Sequence, residues 1–246
     1  MVGPDAALRR LTRAAGKLLQ PYGFDGSEAS WVRVVPEGVA RVGRTRTSRT
    51  WTDGQQELKF GLSLSATPTA WWEFANWRDA QLGLPPAPFQ EASGPGLIDA
   101  HGMPGAATEF WSLRVDPAQP GRVLQADVDA VRAELPRRVH ACARRALRLL
   151  EPGRYLDELL ALPDQQIGAR EAIVVLLAER GPGPQLDEAC HRFQVCATAR
   201  DTSVNAAKVI AYAQDRAARV RAEPTTGARL APAGSGAQAQ CRLPGG

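Results

Sequence analysis

Between Glu57 and Ala66 the chain alternates strictly: Leu58, Phe60, Leu62 and Leu64 are apolar, whereas Lys59, Gly61, Ser63 and Ser65 between them are not. Successive side chains on a strand point to opposite faces, so this stretch makes a strand with one dry face and one wet face. Such a strand belongs to an antiparallel sheet whose apolar side must be covered by a second layer. Two earlier runs, Ser30 to Val35 and Val39 to Thr47, read as strands joined by the turn Pro36-Glu37-Gly38. Thr52-Asp53-Gly54 falls in the loop before the alternating strand, and Glu109 to Val115 supplies a fourth.

The covering layer is legible as helical periodicity. Over residues 5–20, Leu8, Leu11, Ala15, Leu18 and Leu19 recur at three- and four-residue spacing with Arg9, Arg10 and Arg13 between them. This predicts an amphipathic helix, ended by Pro21 and the Tyr22-Gly23-Phe24 turn. Over 126–150, Val128, Val131, Leu135, Val139, Cys142, Ala146 and Leu149 form one stripe, and Pro136 is expected to kink or split that helix. The aromatic segment from Trp71 to Trp77 reads as a short helix. From Leu84 to Ala107 the chain is rich in Pro, Gly and Ala, the mark of a functional or disordered loop. Beyond Pro152 four helical segments follow, near 155–162, 169–180, 186–199 and 203–221, joined by turns such as Gly181-Pro182-Gly183-Pro184. From Glu223 onward almost nothing is available to bury, and disorder is expected.

The expected fold class is therefore α+β. An antiparallel sheet of about four strands packs against the N-terminal helix and the long helix over residues 1–152. A helical part, 153–222, packs on it, and 223–246 forms a tail.

The chain has 246 residues, enough for a core that stabilises itself, and its 44 % hydrophobic and 23 % charged residues are ordinary for a globular protein. No apolar run approaches the ~18–20 residues that cross a bilayer, and the first residues lack the charged-then-apolar pattern of a secretory signal. Four cysteines do not make a disulfide framework at this length. These features point to a cytoplasmic protein. The net charge is +4, but Lys17, Lys59 and Lys208 are the only lysines among 30 basic residues. With abundant Ala, Gly and Pro, that skew matches the codon usage of a GC-rich bacterial genome, so it argues weakly for phosphate recognition.

A helix ending in Gly23-Phe24, an aromatic strand opening at Trp31, and a strand running into a basic Ser/Thr-rich turn come first. Leu58-Lys59-Phe60-Gly61-Leu62 follows, and then Glu109-Phe110-Trp111-Ser112-Leu113 before a long helix. This arrangement resembles a bacterial family of domains of unknown function, number 4304, over roughly residues 5–160. Gly61 stands where that family tends to carry Asn, and Arg46 where Gln is common. The resemblance implies the α+β fold and carries over no catalytic residue.

Four sets of residues are candidates for function. Arg41, Arg44, Arg46 and Arg49 are interleaved with Thr45, Thr47, Ser48 and Thr50. On one strand Arg44 and Arg46 would share a face and could grip a carboxylate or phosphate by paired hydrogen bonds. The plain alternative is a solvated face whose charges discourage edge pairing. The aromatic segment is the second set. On a helix Trp71, Phe74 and Arg78 share a face while Trp72 points away, so Trp72 and Trp77 are candidates for a groove and core packing is the alternative. His140 and Cys142 lie about 200° apart around a helix, and Cys190 and Cys196 about 240°, so neither pair converges on a metal. Cys142 and Cys190 read as small buried hydrophobes. Asp99 and His101 could serve acid–base chemistry, but no third partner lies nearby, and a solvated loop histidine is the plain alternative.

No nucleophile elbow, phosphate-binding loop or dinucleotide fingerprint is present, and no cofactor is implied. The expected function is a binding or regulatory module for another protein or an acidic ligand, with Arg44, Arg46, Arg49, Trp72 and Trp77 as contact residues. Nucleic-acid binding through the Arg41–Arg49 turn is the alternative. A third reading is a hydrolase or transferase using Asp99, His101 or Glu109.

Overall fold

The computed structural model describes residues 2–52 and 54–222. The expectation for the tail from Glu223 lies outside them. The fold is α+β, with helices α1 (Pro4–Leu19), α2 (Thr69–Gln81), α3 (Gly105–Thr108), α4 (Gln125–Leu149), α5 (Arg154–Leu160), α6 (Ile167–Ala178), α7 (Pro184–Thr198) and α8 (Ser203–Ala222). The strands are β1 (Asp25–Ser27), β2 (Ser30–Val35), β3 (Gly38–Arg44), β4 (Ser48–Thr52), β5 (Gln55–Phe60), β6 (Leu62–Pro68) and β7 (Trp111–Arg114).

The strands form two antiparallel sheets rather than one, in the orders β1-β2-β3-β6 and β4-β5-β7. The alternating stretch 57–66 is divided at Gly61, with β5 in one sheet and β6 in the other. The expected strand over 39–47 likewise stops at Arg44. Arg44 pairs with Leu62 and Ser48 with Lys59, so the three residues 45–47 stand opposite two, Phe60 and Gly61. That extra residue is a bulge, which bends both strands from one sheet into the next. Thr45 clamps the bend. Its N–H donates to the Gly61 carbonyl at 3.0 Å, and its hydroxyl accepts the Gly61 N–H at 2.8 Å. The two-residue period survives, since Leu58 and Phe60 are buried and Leu62 and Leu64 pack against the same core.

Helices α1 and α4 pack on each other, and α4 lies across β3 and β6. Gly16 lets α1 approach the sheet closely, because a Cβ there would come within 2.8 Å of the Trp31 indole nitrogen. Pro136 leaves α4 undivided from Gln125 to Leu149. The buried stripe runs through it, with Val131 and Leu135 on one side and Val139 and Cys142 on the other, and this burial holds the helix together despite the missing backbone donor.

The C-terminal helices gather around α6, whose residues Ala172–Ala178 are all buried. Phe74 of α2 is fully buried, with the Trp77 and Tyr212 rings 5.8 and 5.2 Å away. Trp77 and Tyr212 are themselves 4.8 Å apart, so this aromatic group joins α2 to α8. The long Pro/Gly-rich stretch between α2 and β7 runs as a strap with fixed attachments. Ala87 exchanges hydrogen bonds with Asn76 and receives one from the Trp72 indole, and Arg145 of α4 holds the carbonyls of Ile98 and Asp99.

Candidate functional site

The five contact residues expected from the sequence are dispersed. Arg44 ends β3, half-buried, with its guanidinium turned back to the Thr45 carbonyl at 3.3 Å. Arg46 lies exposed in the bulge, outside β3, so strand alternation does not set it beside Arg44. Arg49 ties β4 to the start of α1 through Asp5 at 2.7 Å. Arg41, in the same segment, donates to the Gln90 carbonyl at 2.9 Å and to the Ser30 hydroxyl at 3.3 Å. Trp72 anchors the strap through Ala87 and through the Phe89 ring 4.9 Å away, while Trp77 packs between α2 and α8. Among the described residues, no hydrogen bond, ion pair or ring contact joins these arginines to these tryptophans.

The other candidates separate in the same way. The Asp99 carboxylate accepts the Ala66 N–H at 3.4 Å, beneath the strap, whereas His101 and Glu109 are exposed. Burial raises Asp99 to about 6, against the opposing pull of the Ala66 hydrogen bond and the Arg145 guanidinium. No group of three or more His, Cys, Asp or Glu suited to a metal occurs among the described residues. Cys142 and Cys190 are buried, and burial pushes both thiols up, Cys142 to about 11.

The structure assembles a different basic site at the C-terminal end of α4. A cavity of about 830 Å³ opens there, walled by Arg144, Arg145 and Arg148 of α4, by Arg33 and Val35 of β2, and by Met103 of the strap. Glu37 and Glu151 stand at its edge, so four arginines face two glutamates. The four arginines are not equivalent. Arg145 is half-buried and neutralised by both carboxylate oxygens of Glu158, at 2.9 and 2.6 Å. Arg33 donates to the Tyr22 carbonyl at 2.5 Å. Arg144 and Arg148 are exposed and have no hydrogen-bond or ion-pair partner among the described residues. They are one helical turn apart, about 6 Å along the axis, on the same side of α4.

A sequence signal for this pair exists. Arg137, Arg144 and Arg148 are spaced by seven and four residues, on the face of α4 opposite the stripe Val139, Cys142, Ala146 and Leu149. What the sequence does not reveal is which arginines have partners.

No protein-family model matches the chain. No curated protein and no solved structure matches it either.

Proposed function

We propose that the chain is a binding module for an acidic ligand, which it takes up in the groove between the end of α4 and β2. The observation that carries this reading is the Arg144–Arg148 pair, exposed, without partners among the described residues and one turn apart on the wall of a cavity of about 830 Å³. Two guanidiniums so placed can each fork onto an anionic oxygen pair, and charge-assisted bonds of this kind are the stronger ones. The spacing suits a ligand with two or more negative charges a few ångströms apart. Arg33 adds positive potential from a position already fixed by the Tyr22 carbonyl. Val35, Leu147 and Leu150 give the groove an apolar floor, the usual setting for a few oriented polar groups.

The test is titration calorimetry with inorganic pyrophosphate and with a hexaglutamate peptide, on the wild type and on Arg144→Ala/Arg148→Ala. The double variant should bind at least tenfold more weakly to whichever probe the wild type takes. Its melting temperature should stay close to the wild type, because exposed, unpaired side chains contribute little to stability. Unchanged binding by the double variant, or no binding of either probe by the wild type, sinks the proposal. Preference for the peptide would point to a protein partner, and preference for pyrophosphate to a small anion.

A further inference from the structure

Helices α5, α6 and α7 enclose a second cavity, of about 430 Å³. Its walls include Leu160, Ile173, Leu177 and Ala189. Leu160 is 44 % exposed, although its neighbour Leu159 is fully buried in the core. At the edge stands Arg170, whose Nε donates to the Gln165 carbonyl at 2.8 Å. The Gln165 side chain in turn donates to the Leu160 carbonyl at 3.2 Å, near the end of α5. The plane of the Arg170 guanidinium is thus set by the turn between α5 and α6, while its two terminal nitrogens have no partner among the described residues. The remaining charges at the rim, Glu188 and Arg192, pair with each other and leave Arg170 as the uncompensated one.

We infer that this cavity binds a small amphiphilic carboxylate, with its apolar body between α5, α6 and α7 and its head group on the Arg170 guanidinium. The volume lies in the range of small-molecule sites, and such sites combine apolar walls with a few fixed polar groups. A guanidinium matches a carboxylate by two parallel hydrogen bonds. Because Gln165 already holds Arg170 in place, little side-chain freedom is left to lose on binding. A plain small anion would leave the exposed Leu160 side chain facing water, and an amphiphilic cation would meet an uncompensated positive charge.

The site does not overlap the groove at α4, so each can fail alone. The probe is decanoate, with decylamine and acetate as controls, followed on the full-length chain by ligand-observed saturation-transfer NMR and by thermal shift. Decanoate should bind at least tenfold more tightly than decylamine, and acetate should show no transfer. Arg170→Gln should weaken decanoate at least tenfold and erase its advantage over decylamine, Arg170→Lys should restore part of it, and Ala189→Phe should exclude both amphiphiles. Circular dichroism confirms that each variant keeps its helices, and Arg170→Gln, at a partly exposed edge, carries the test should Ala189→Phe not fold. Arg144→Ala/Arg148→Ala should bind decanoate as the wild type does. Equal affinity for decanoate and decylamine, or decanoate binding that survives Arg170→Gln, overturns the inference.

Discussion

Asp99 shows how one residue can work against the fold that holds it. Its carboxylate lies under the strap, with a long hydrogen bond from the Ala66 N–H and the Arg145 guanidinium nearby. Arg145 is already committed to Glu158, whose carboxylate it and Arg154 hold below the ordinary range, so it offsets only part of the burial. The result is a rise from 3.8 to about 6. The folded chain then holds this proton more tightly than the unfolded chain does, so the group favours folding below about pH 4. That advantage fades as the pH rises through 6, where the folded state must accommodate a buried charge. Asp99→Asn keeps an acceptor for Ala66 and removes the charge. It should stabilise the protein at about pH 8 by about 2–3 kcal/mol and leave it nearly unchanged at about pH 4. Urea unfolding at the two pH values checks this, and an equal effect at both would show that Asp99 does not titrate as described.

At the scale of elements, the decisive feature is the bend at Thr45 and Gly61, where β3–β4 and β5–β6 pass together from one sheet to the other. Thr45→Val keeps the β-branched shape and removes the acceptor for the Gly61 N–H. It should cost about 1–2 kcal/mol in urea unfolding while leaving anion titration of the α4 groove unchanged. A cost within error would mean that the bulge is held by the sheets alone. Gly61 itself is less demanding, since a Cβ there would meet Phe110 at 3.4 Å in near-ordinary contact. The periodic elements were legible in the sequence to within a few residues, because α1, α4 and the four C-terminal helices each write their own burial pattern locally. The division of residues 57–66 was not, because it depends on a hydroxyl sixteen residues away. The pairings of the candidate arginines were not legible for the same reason. Arg49 looked free until Asp5, 44 residues earlier, was brought against it. Arg138 of α4 is 5 % exposed, 4.4 Å from the centre of the Trp111 ring and bound to Glu134 and the Glu109 carbonyl, and of these partners its local sequence does not announce Trp111 and Glu109. That Arg144 and Arg148 of α4 have no side-chain partner among the described residues is likewise a property of the fold and not of the local sequence.

Across the whole molecule, the α+β part and the C-terminal helices meet through α2. The Phe74 and Trp77 rings pack tilted against Tyr212, and Arg216 of α8 bridges Glu73 of α2 at 3.2 Å and Glu179 beside α6 at 2.6 Å. The strap adds a second tie, since Arg145 and Arg154 share Glu158 of α5 while Arg145 also holds Ile98 and Asp99. Buried hydrophobic residues from α1 to α8 form one cluster, so an opening between the parts would expose Phe74, Leu156 and Ala213 at once. Such a core should melt as one unit. All six tryptophans lie between Trp31 and Trp111, in the α+β part, whereas helix is shared between both parts, so fluorescence reports on one part and circular dichroism on both. Tryptophan fluorescence and circular dichroism at about 222 nm should give coincident urea transitions. Phe74→Ala removes a fully buried ring at the junction and should shift both curves together, by about 3–5 kcal/mol. A second circular dichroism step that has no counterpart in fluorescence, and that Phe74→Ala leaves in place, would mean that the helical part is stable alone. The groove at α4 and the cavity at α6 would then belong to independently folding units.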